Sequence, residues 1–522
     1  MGDPVVIRGW NIASLPTDQV SIENGILSTK AQRWALCIDP QQQANKWIKN
    51  MEKNNNLLLM KFGMNNFLRE ISGGVRNGRP VLIEDIEEYI DPAIDPILLK
   101  QAFKTEGGIK QMRLGDANVD YDDNFRFFMT TKMPNPHYLP EVCIKVTLIN
   151  FTVTFQGLEE QLLGDVVIQE KPEIERKRDE IVVSMDQDQR TLKNIENTIL
   201  KLLSESTEEQ ILDEDTLITV LENSKKTSKE INERIASAIL VEEEINNTRN
   251  QYRSVAIRGS ILYFVIADLA GIDPMYQYSL GYIKRLFNTA IEKSKKSNVL
   301  EERLDILIDN ITRMIYTNVS RGLFEAHKII YSFLIITSIN RNYRKVKEMH
   351  WNLLLRGAGP ITPEELKQRP ECPDPKILTP IAWDLVYYAD LNDSEVFGGL
   401  TLSIVKQWSE WEKWATCADP HTTPLPLEWS EKLDNFEKLI VLKIFRPEKL
   451  LFAFQNYVID EMGKFFVESP SSTMDIIYLD TDVKTPLIFV LSAGADPTSA
   501  LIKFAKERNY AEKMNVISLG QG

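Results

Sequence analysis

Residues 34–50 read WALCIDPQQQANKWIKN, a stretch with the layout of a phosphate-binding loop. The pattern predicts a short apolar strand over residues 34–38, a tight loop over 39–45 and a helix that begins near Lys46. A working loop of this kind needs glycines, whose backbone N–H groups curl around phosphates, and a Lys-Ser/Thr pair at its end. Here three glutamines stand in the loop without a glycine, and Trp47 follows Lys46. The sequence therefore predicts a nucleotide-site scaffold that has lost its nucleotide chemistry.

Size and charge limit the class of protein. With 522 residues the chain is too long for one core, and 43% hydrophobic with 26% charged residues is ordinary for a soluble globular protein. The formal net charge of −14 argues against a general binder of nucleic acid or anionic membrane, because both attract basic surfaces. The four cysteines form no C-x-x-C pair, which favours a reducing compartment and shows no zinc motif. No apolar run approaches the ~20 residues of a membrane span. We expect neither a nucleic-acid nor a membrane partner.

Residues 1–160 alternate between strand-like and helix-like runs. The predicted strands lie at 35–38, 57–60, 81–83 and 125–130. Alternation with polar helical segments is typical of a mainly parallel sheet covered by helices. Ligands on such sheets bind at the carboxyl ends of strands, which is where residues 39–46 fall.

Residues 161–257 have a different pattern, with apolar residues at heptad spacing in two runs. The seam positions are Ile174, Ile181, Met185, Leu192, Ile195, Ile199 and Leu202 in the first run, and Ile231, Ile235, Ala238, Ile245 and Tyr252 in the second. Arg178 and Asp188 interrupt the first seam, and a polar break at 204–215 separates the runs. This predicts an antiparallel coiled-coil hairpin. Arms of ~30–35 residues would project on the order of 50 Å, whereas the alternative is two long helices folded onto the body.

The rest of the chain divides into three further predicted domains. Residues 258–345 are helical and apolar, which suits a small helical lid. Residues 346–470 combine helices with two proline-rich loops. In residues 471–522 the segment PLIFVLSAGADP, at 486–497, repeats the strand–loop layout before a helix, again without the terminal glycine and lysine. Because a sheet that stops after two strands is incomplete, we expect an incomplete second α/β module and a chain that is a fragment of something larger.

An ATPase site of the AAA+ type also needs an acidic pair after an apolar strand, to hold Mg²⁺ and activate water. The strand at 81–83 is followed by Glu84 and Asp85, which inverts the usual Asp–Glu order. Solvated acids at a strand end are the simpler interpretation. Asn135 is a candidate γ-phosphate sensor after the next strand. The candidate nucleotide contacts are therefore Lys46, Glu84, Asp85 and Asn135, and no catalytic or metal-ligating residue is predicted.

Several long motifs resemble the dynein heavy chain family. They are WNIASLPTDQVSIENGI at residues 10–26, IDPQQQANKWIKNMEK at 38–53, PHYLPEVCIKVTLINF at 136–151, ADLAGIDPMYQYSL at 267–280 and PLIFVLSAGADP at 486–497. The resemblance spans nearly the whole chain and is closer to axonemal than to cytoplasmic members.

The resemblance implies an assignment for each predicted domain. Residues 1–160 would be the α/β large subdomain of the fifth AAA+ module of a motor ring, 161–257 its coiled-coil strut or buttress, 258–345 its helical lid, 346–470 the helical linker and start of the sixth module, and 471–522 the truncated core of the sixth. The hydrolytic module and the stalk would precede Met1.

The implied function is structural. The chain would be part of the ring of an ATP-driven, minus-end-directed microtubule motor that moves a cilium or flagellum. These two modules are regarded as non-hydrolysing in that family, so we expect no cofactor here, with ATP and Mg²⁺ bound in the parent motor. The segment alone is not expected to be catalytic. Expected partners are the other modules and stalk of the same heavy chain, the microtubule through the parent motor, and dynein intermediate and light chains. The expected location is the cytoplasm and cytoskeleton, in the axoneme.

Two other functions stay open from the sequence. An autonomous AAA+ nucleotide switch would bind ATP or ADP through residues 1–345, with a contribution from Lys46. Another multi-module AAA+ remodelling protein would share the fold, but would not be expected to share the hairpin and the stretch IDPMYQYSL.

Overall fold

The strand of the opening stretch lies inside a five-stranded parallel sheet in the computed structural model. The order is β2–β3–β7–β1–β8, and every neighbouring pair is parallel. The strands are β1 (Ala35–Ile38), β2 (Leu58–Met60), β3 (Val81–Ile83), β7 (Phe127–Thr131) and β8 (Thr147–Asn150). All five residues of β7 are buried, as expected for a strand covered on both faces. The predicted mainly parallel sheet is confirmed.

Two cores flank this sheet. Leu36 joins one buried cluster, and its neighbours Ala35 and Cys37 join the other. Successive strand residues point to opposite faces of the sheet. A strand whose residues are all apolar therefore contributes side chains to both cores. A second, antiparallel sheet contains β4 (Ala102–Lys104), β5 (Lys110–Leu114) and β6 (Ala117–Asp120).

The structure describes residues 2–105, 108–205, 215–468, 474–479, 481, 483, 486–491 and 496–517, with the side chains of 202–221 left out. It contains two compact units, Met1–Ile315 and Tyr316–Gly522. The α-helices of the first are α1 (Pro4–Ile12), α2 (Gln19–Lys30), α3 (Gln43–Met51), α4 (Phe67–Arg76), α5 (Asp95–Leu98), α6 (Pro140–Cys143), α7 (Phe155–Glu170), α8 (Pro172–Glu205), α9 (Asp215–Asn250), α10 (Arg253–Asp268) and α11 (Leu280–Lys293). The boundary between the units falls within α12 (Leu300–Ser320).

The long helices α8 and α9 occupy the two heptad runs and contact each other. Asp188 pairs with Arg234, and Glu175 pairs with Arg249. Glu175 precedes Asp188 along α8, whereas its partner Arg249 follows Arg234 along α9. The two helices therefore run antiparallel. The seam residue Met185 is buried. The connecting residues 206–214 of the predicted polar turn lie outside the described residues.

By length and composition alone, helix α10 with the turn to Gly271 could span a membrane. The packing of the helix explains its apolar composition in another way. A Cβ added at Gly259 would lie 2.6 Å from the ring of Phe287 on α11 and 2.8 Å from Leu162 on α7. This close approach of three helices shows that α10 packs inside the first unit.

The second unit is helical in the part that the structure describes. Its helices are α13 (Glu325–Asn342), α14 (Glu348–Leu355), α15 (Pro363–Gln368), α16 (Pro380–Asn392), α17 (Leu400–Lys406), α18 (Trp408–Thr416), α19 (Trp429–Lys432), α20 (Asn435–Phe445), α21 (Leu450–Met462), α22 (Met474–Leu479) and α23 (Thr498–Glu507).

The strand predicted at the start of PLIFVLSAGADP is not formed. Residues 486–491 are described without regular secondary structure, while the following helix α23 is present. A strand depends on a neighbour for its backbone hydrogen bonds, whereas a helix satisfies them within its own segment. The loop residues 492–495 lie outside the described residues.

Candidate functional site

The loop after β1 is closed by the side chain of Asp39. Its carboxylate accepts hydrogen bonds from the backbone N–H groups of Gln43, at 2.7 Å, and Asn45, at 2.9 Å. These N–H groups belong to the first turn of α3, which begins at Gln43, earlier than the start predicted near Lys46. Such N–H groups are where a phosphate-binding loop holds its anion. The protein's own carboxylate occupies that position.

Burial governs the charge of Asp39. The residue is 1% exposed, and burial raises the pKa of its carboxyl from 3.8 to about 6, although hydrogen bonds from backbone N–H groups favour the charged form. Peptide dipoles offset only part of the cost of removing a carboxylate from water.

The shape of the loop is retained at Gln42. Its φ of 61° lies in the left-handed region, which favours glycine because a Cβ is strained there. A phosphate-binding loop places a glycine where its chain must make this turn. Here a glutamine adopts this left-handed conformation, although a glycine would adopt it with less strain.

Asn45 takes the place of the loop lysine. With Asp39 set at the first glycine of G-x-x-x-x-G-K-[ST], Ala44 falls at the second glycine, Asn45 at the lysine and Lys46 at the serine or threonine. The Asn45 amide donates to the Glu84 carboxylate at 2.6 Å. Neither Asp39 nor Asn45 was among the predicted site residues, and the spacing of the motif is the signal that could have identified them.

The predicted acidic pair is engaged by lysines of the protein itself. Glu84 pairs with Lys49 at 2.6 Å. Asp85 pairs with Lys132 at 2.8 Å and with Lys61. The Lys132 ammonium, followed by that of Lys61, holds the pKa of the Asp85 carboxyl below its usual value. These ion pairs occupy the oxygens that a Mg²⁺ ion would need.

A cleft of about 430 Å³ lies beside the loop. It brings together four parts of the first unit: the segment before α2, the loop, helix α7 with the start of α8 and the end of α9, and helix α11. Its charged and loop residues are Gln41, Gln42, Gln43, Lys46, Glu160, Asp165, Glu175, Arg178, Arg249 and Lys284. The base of α8 and α9 therefore faces the phosphate-loop scaffold.

Most of the cations in this cleft are paired within the protein. Arg249 contacts Glu175 at 2.8 Å, and Arg178 contacts the same carboxylate at 3.1 Å. Arg249 is only 5% exposed, and burial lowers the pKa of its guanidinium. Lys284 contacts Asp165 at 2.9 Å. Internal carboxylates thus take the place that a polyphosphate would need.

The four predicted nucleotide contacts do not converge. Lys46 lines the cleft, and it makes no ion pair among the residues that the structure describes. Glu84, Asp85 and Asn135 do not line it, and Asn135 is exposed after β7. Within the described ranges no group of three His, Cys, Asp or Glu side chains could hold a metal ion. The residues present do not fit a Mg²⁺–nucleotide, because the N–H groups, the lysine position and the acids all have other partners.

Comparisons with known proteins give one family. Residues 8–231 match the family model described as the ATP-binding dynein motor region, and residues 482–522 match the dynein heavy chain region D6 P-loop domain. Dynein axonemal heavy chain 6 of Homo sapiens is 46% identical over 552 residues. Dynein axonemal heavy chain 1 of Homo sapiens is 41% identical, and dynein axonemal heavy chain 3 of Mus musculus is 40% identical, each over 523 residues. These alignments cover 100% of this chain and 12–13% of each relative. The chain therefore spans about an eighth of the length of these relatives.

Proposed function

This chain belongs to the dynein heavy chain family as a homologue of the axonemal members, and from that premise we propose that it is the structural, lever-bearing part of the motor ring. Residues 1–160 form the large subdomain of the fifth module, 161–257 its coiled-coil strut and 258–345 its lid. Residues 346–470 then hold the linker and the start of the sixth module, and 471–522 part of its α/β core. The match of residues 482–522 to the D6 P-loop domain supports the last assignment.

One observation carries the proposal: the base of the hairpin lines the cleft of the phosphate-loop scaffold. Glu175 and Arg249, one from each long helix, meet there as a buried pair. The cleft also contains Lys284 of the lid, held by Asp165 of α7. These pairs join the two hairpin helices to each other and the lid helix to α7, which leads directly into α8, while the loop lines the same cleft. A shift of the lid therefore moves the hairpin through α7, without a nucleotide in this module.

The hairpin acts as a stiff lever. The cross-helix pair between Asp188 and Arg234 supports one register of α8 against α9, as polar groups do in some coiled coils. Rearrangement of the ring moves the base of the lever, and its tip biases the helix register of the stalk. The partners of this segment are therefore the other modules and the stalk of the same heavy chain.

The parent protein would supply the chemistry. We place the chain in an ATP-driven, minus-end-directed microtubule motor of the axoneme, with ATP and Mg²⁺ bound in other modules. The microtubule and the intermediate and light chains are partners of that whole motor. The segment itself contributes mechanical coupling and no hydrolysis.

Deleting residues 196–199 from α8 in a complete motor tests the lever. Four residues are just over one helical turn, so the seam beyond the deletion rotates away from α9. We expect microtubule affinity to lose most of its dependence on ATP state. A matched deletion of one full heptad, residues 194–200, keeps the seam on one face and should retain more of the coupling. Normal coupling in the four-residue variant would contradict the lever.

A further inference from the structure

The N-terminal helix α1 contacts the hairpin arm far from the junction at which that arm begins. The Asp3 carboxylate pairs with the Lys193 ammonium on α8. The same carboxylate accepts a hydrogen bond from the Val5 N–H at 3.1 Å and so caps α1. One side chain thus fixes the start of α1 and joins it to the arm.

A second contact lies two helical turns further along α1. A Cβ added at Gly9 would be 2.9 Å from the Arg190 guanidinium, so α1 and α8 approach closely at a residue without a side chain. Arg190 is held in place by Asp186, at 2.8 Å, one turn earlier on α8. The Asp186 side chain is itself buried. The contact with α1 therefore lies at Arg190 and Lys193 of the arm, and Asp186 supports it through Arg190.

Another face of α1 is anchored to the sheet body. Trp10 is buried and packs edge-on against Trp47 of α3, with ring centroids 5.8 Å apart. The Asn50 amide of α3 donates to the Ala13 carbonyl and the Ser14 hydroxyl, each at 3.1 Å. Helix α1 therefore lies between the helix of the phosphate-loop scaffold and the hairpin arm.

We propose that α1 is a second support for the hairpin, and that the free arm begins beyond Lys193. The contact lies about 20–30 Å along α8 from Pro172, at 1.5 Å per residue. From residue 194 to the last described residue of α8 only about 18 Å remain. A lever clamped at two separated points bends less than one held at its base, so the support sets both the direction and the stiffness of the arm.

The role of this support in a motor rests on the proposed lever function, whereas the contacts between α1 and α8 do not. The support itself is measured without microtubules. A failure of ATP coupling in the deletion variant and a failure of the support would therefore be distinguished by separate experiments.

Gly9→Val in the full chain is the test, read by hydrogen exchange of α8 peptides. The added methyl groups would displace the Arg190 guanidinium from α1 and so remove this contact. We expect amides of residues 186–193 to exchange about two- to threefold faster. Gly73→Val is the matched control, because Gly73 is also helical and a Cβ there meets nothing within 4 Å. It should leave exchange in α8 unchanged.

Unchanged exchange in folded Gly9→Val would overturn the support. If that variant does not fold, Lys193→Glu replaces it, because its side chain is 46% exposed and tolerates substitution. Repulsion from Asp3 should then raise exchange over the same residues about two- to threefold. The same rate as in the unmodified chain would equally overturn the proposal.

Discussion

The two sides of the cleft hold their buried carboxylates in different ways. On the loop side, Asp39 rests on uncharged backbone N–H groups. On the hairpin side, Glu175 lies between Arg249 and Arg178. Protonation of Asp39 leaves no buried charge behind, whereas loss of the Glu175 carboxylate leaves the buried Arg249 guanidinium without this partner. We therefore expect a change on the hairpin side to cost more stability than a change on the loop side.

The largest expected effect is at the hairpin base. Glu175→Ala leaves the Arg249 guanidinium buried and unpaired, and breaking a buried pair in this way costs about 3–5 kcal/mol. The measurement is the free energy of unfolding of the segment around α8 and α9, taken from hydrogen exchange in increasing denaturant.

A double variant checks the cause of that loss. Replacing Glu175 and Arg249 together by Met removes both charges, and apolar substitution of a whole pair is often close to neutral. The double variant should recover most of the stability. A loss below about 1 kcal/mol in Glu175→Ala would contradict the ranking of the two sides.

The next effect is a pH dependence at Asp39. Its folded pKa of about 6 lies above the ordinary 3.8, so its contribution to stability is fully present below 3.8 and is lost as pH rises through about 6. This shift corresponds to about 3 kcal/mol. Unfolding of the chain and of Asp39→Asn, compared between about pH 3 and about pH 7, should show a slope in the chain that the variant lacks. Parallel profiles would contradict the buried, unpaired carboxylate.

A smaller expected effect distinguishes the Asp39 carboxylate in the loop from Asp18, which is an ordinary helix cap. Asp39→Ala and Asp18→Ala each remove a buried carboxylate that accepts hydrogen bonds from backbone N–H groups in the first turn of a helix, α3 or α2. Each loss costs about 1–2 kcal/mol. Only the first frees N–H groups beside Lys46. Added pyrophosphate should raise the thermal midpoint of Asp39→Ala and leave that of Asp18→Ala unchanged. Equal responses would show that Asp39 does not occupy an anion position.

The smallest effect lies out along the hairpin. Asp188→Ala breaks the pair with Arg234, whose side chain is 64% exposed. Exposed pairs are worth about 0.2–1 kcal/mol and are screened by salt. Exchange in α9 near Arg234 should rise slightly at low salt and match the unmodified chain at high salt. A larger rise in exchange that does not depend on salt would contradict this ranking, because it would show that this pair stabilises the hairpin more than the pair at its base does.

Local pattern was enough to predict four of the five strands of the parallel sheet, but neither β8 nor the antiparallel sheet of β4, β5 and β6. The strands predicted at 35–38 and 81–83 are Ala35–Ile38 and Val81–Ile83, because short apolar runs between polar segments identify strands buried on both faces. Heptad spacing likewise located both long helices. The segment at 486–491 failed because strand formation depends on pairing, which an apolar run does not show.

The site was harder to predict because its contacts join distant residues. Glu175 and Arg249 are 74 residues apart, and Asp3 and Lys193 are 190 apart. A chain rich in acids and lysines offers many such pairs, and no local pattern selects among them. The importance of Asp39 could have been predicted, since the spacing of the loop motif places this aspartate at the position of the first glycine.

Nucleotide binding by this chain tests the central claim, that internal charges have taken the place of a ligand. Titration calorimetry with ATP and with ADP, in the presence of Mg²⁺, should show no saturable heat, and neither nucleotide should shift the thermal midpoint. Saturable binding that Lys46→Ala abolishes would contradict the account, and would make the module a nucleotide switch.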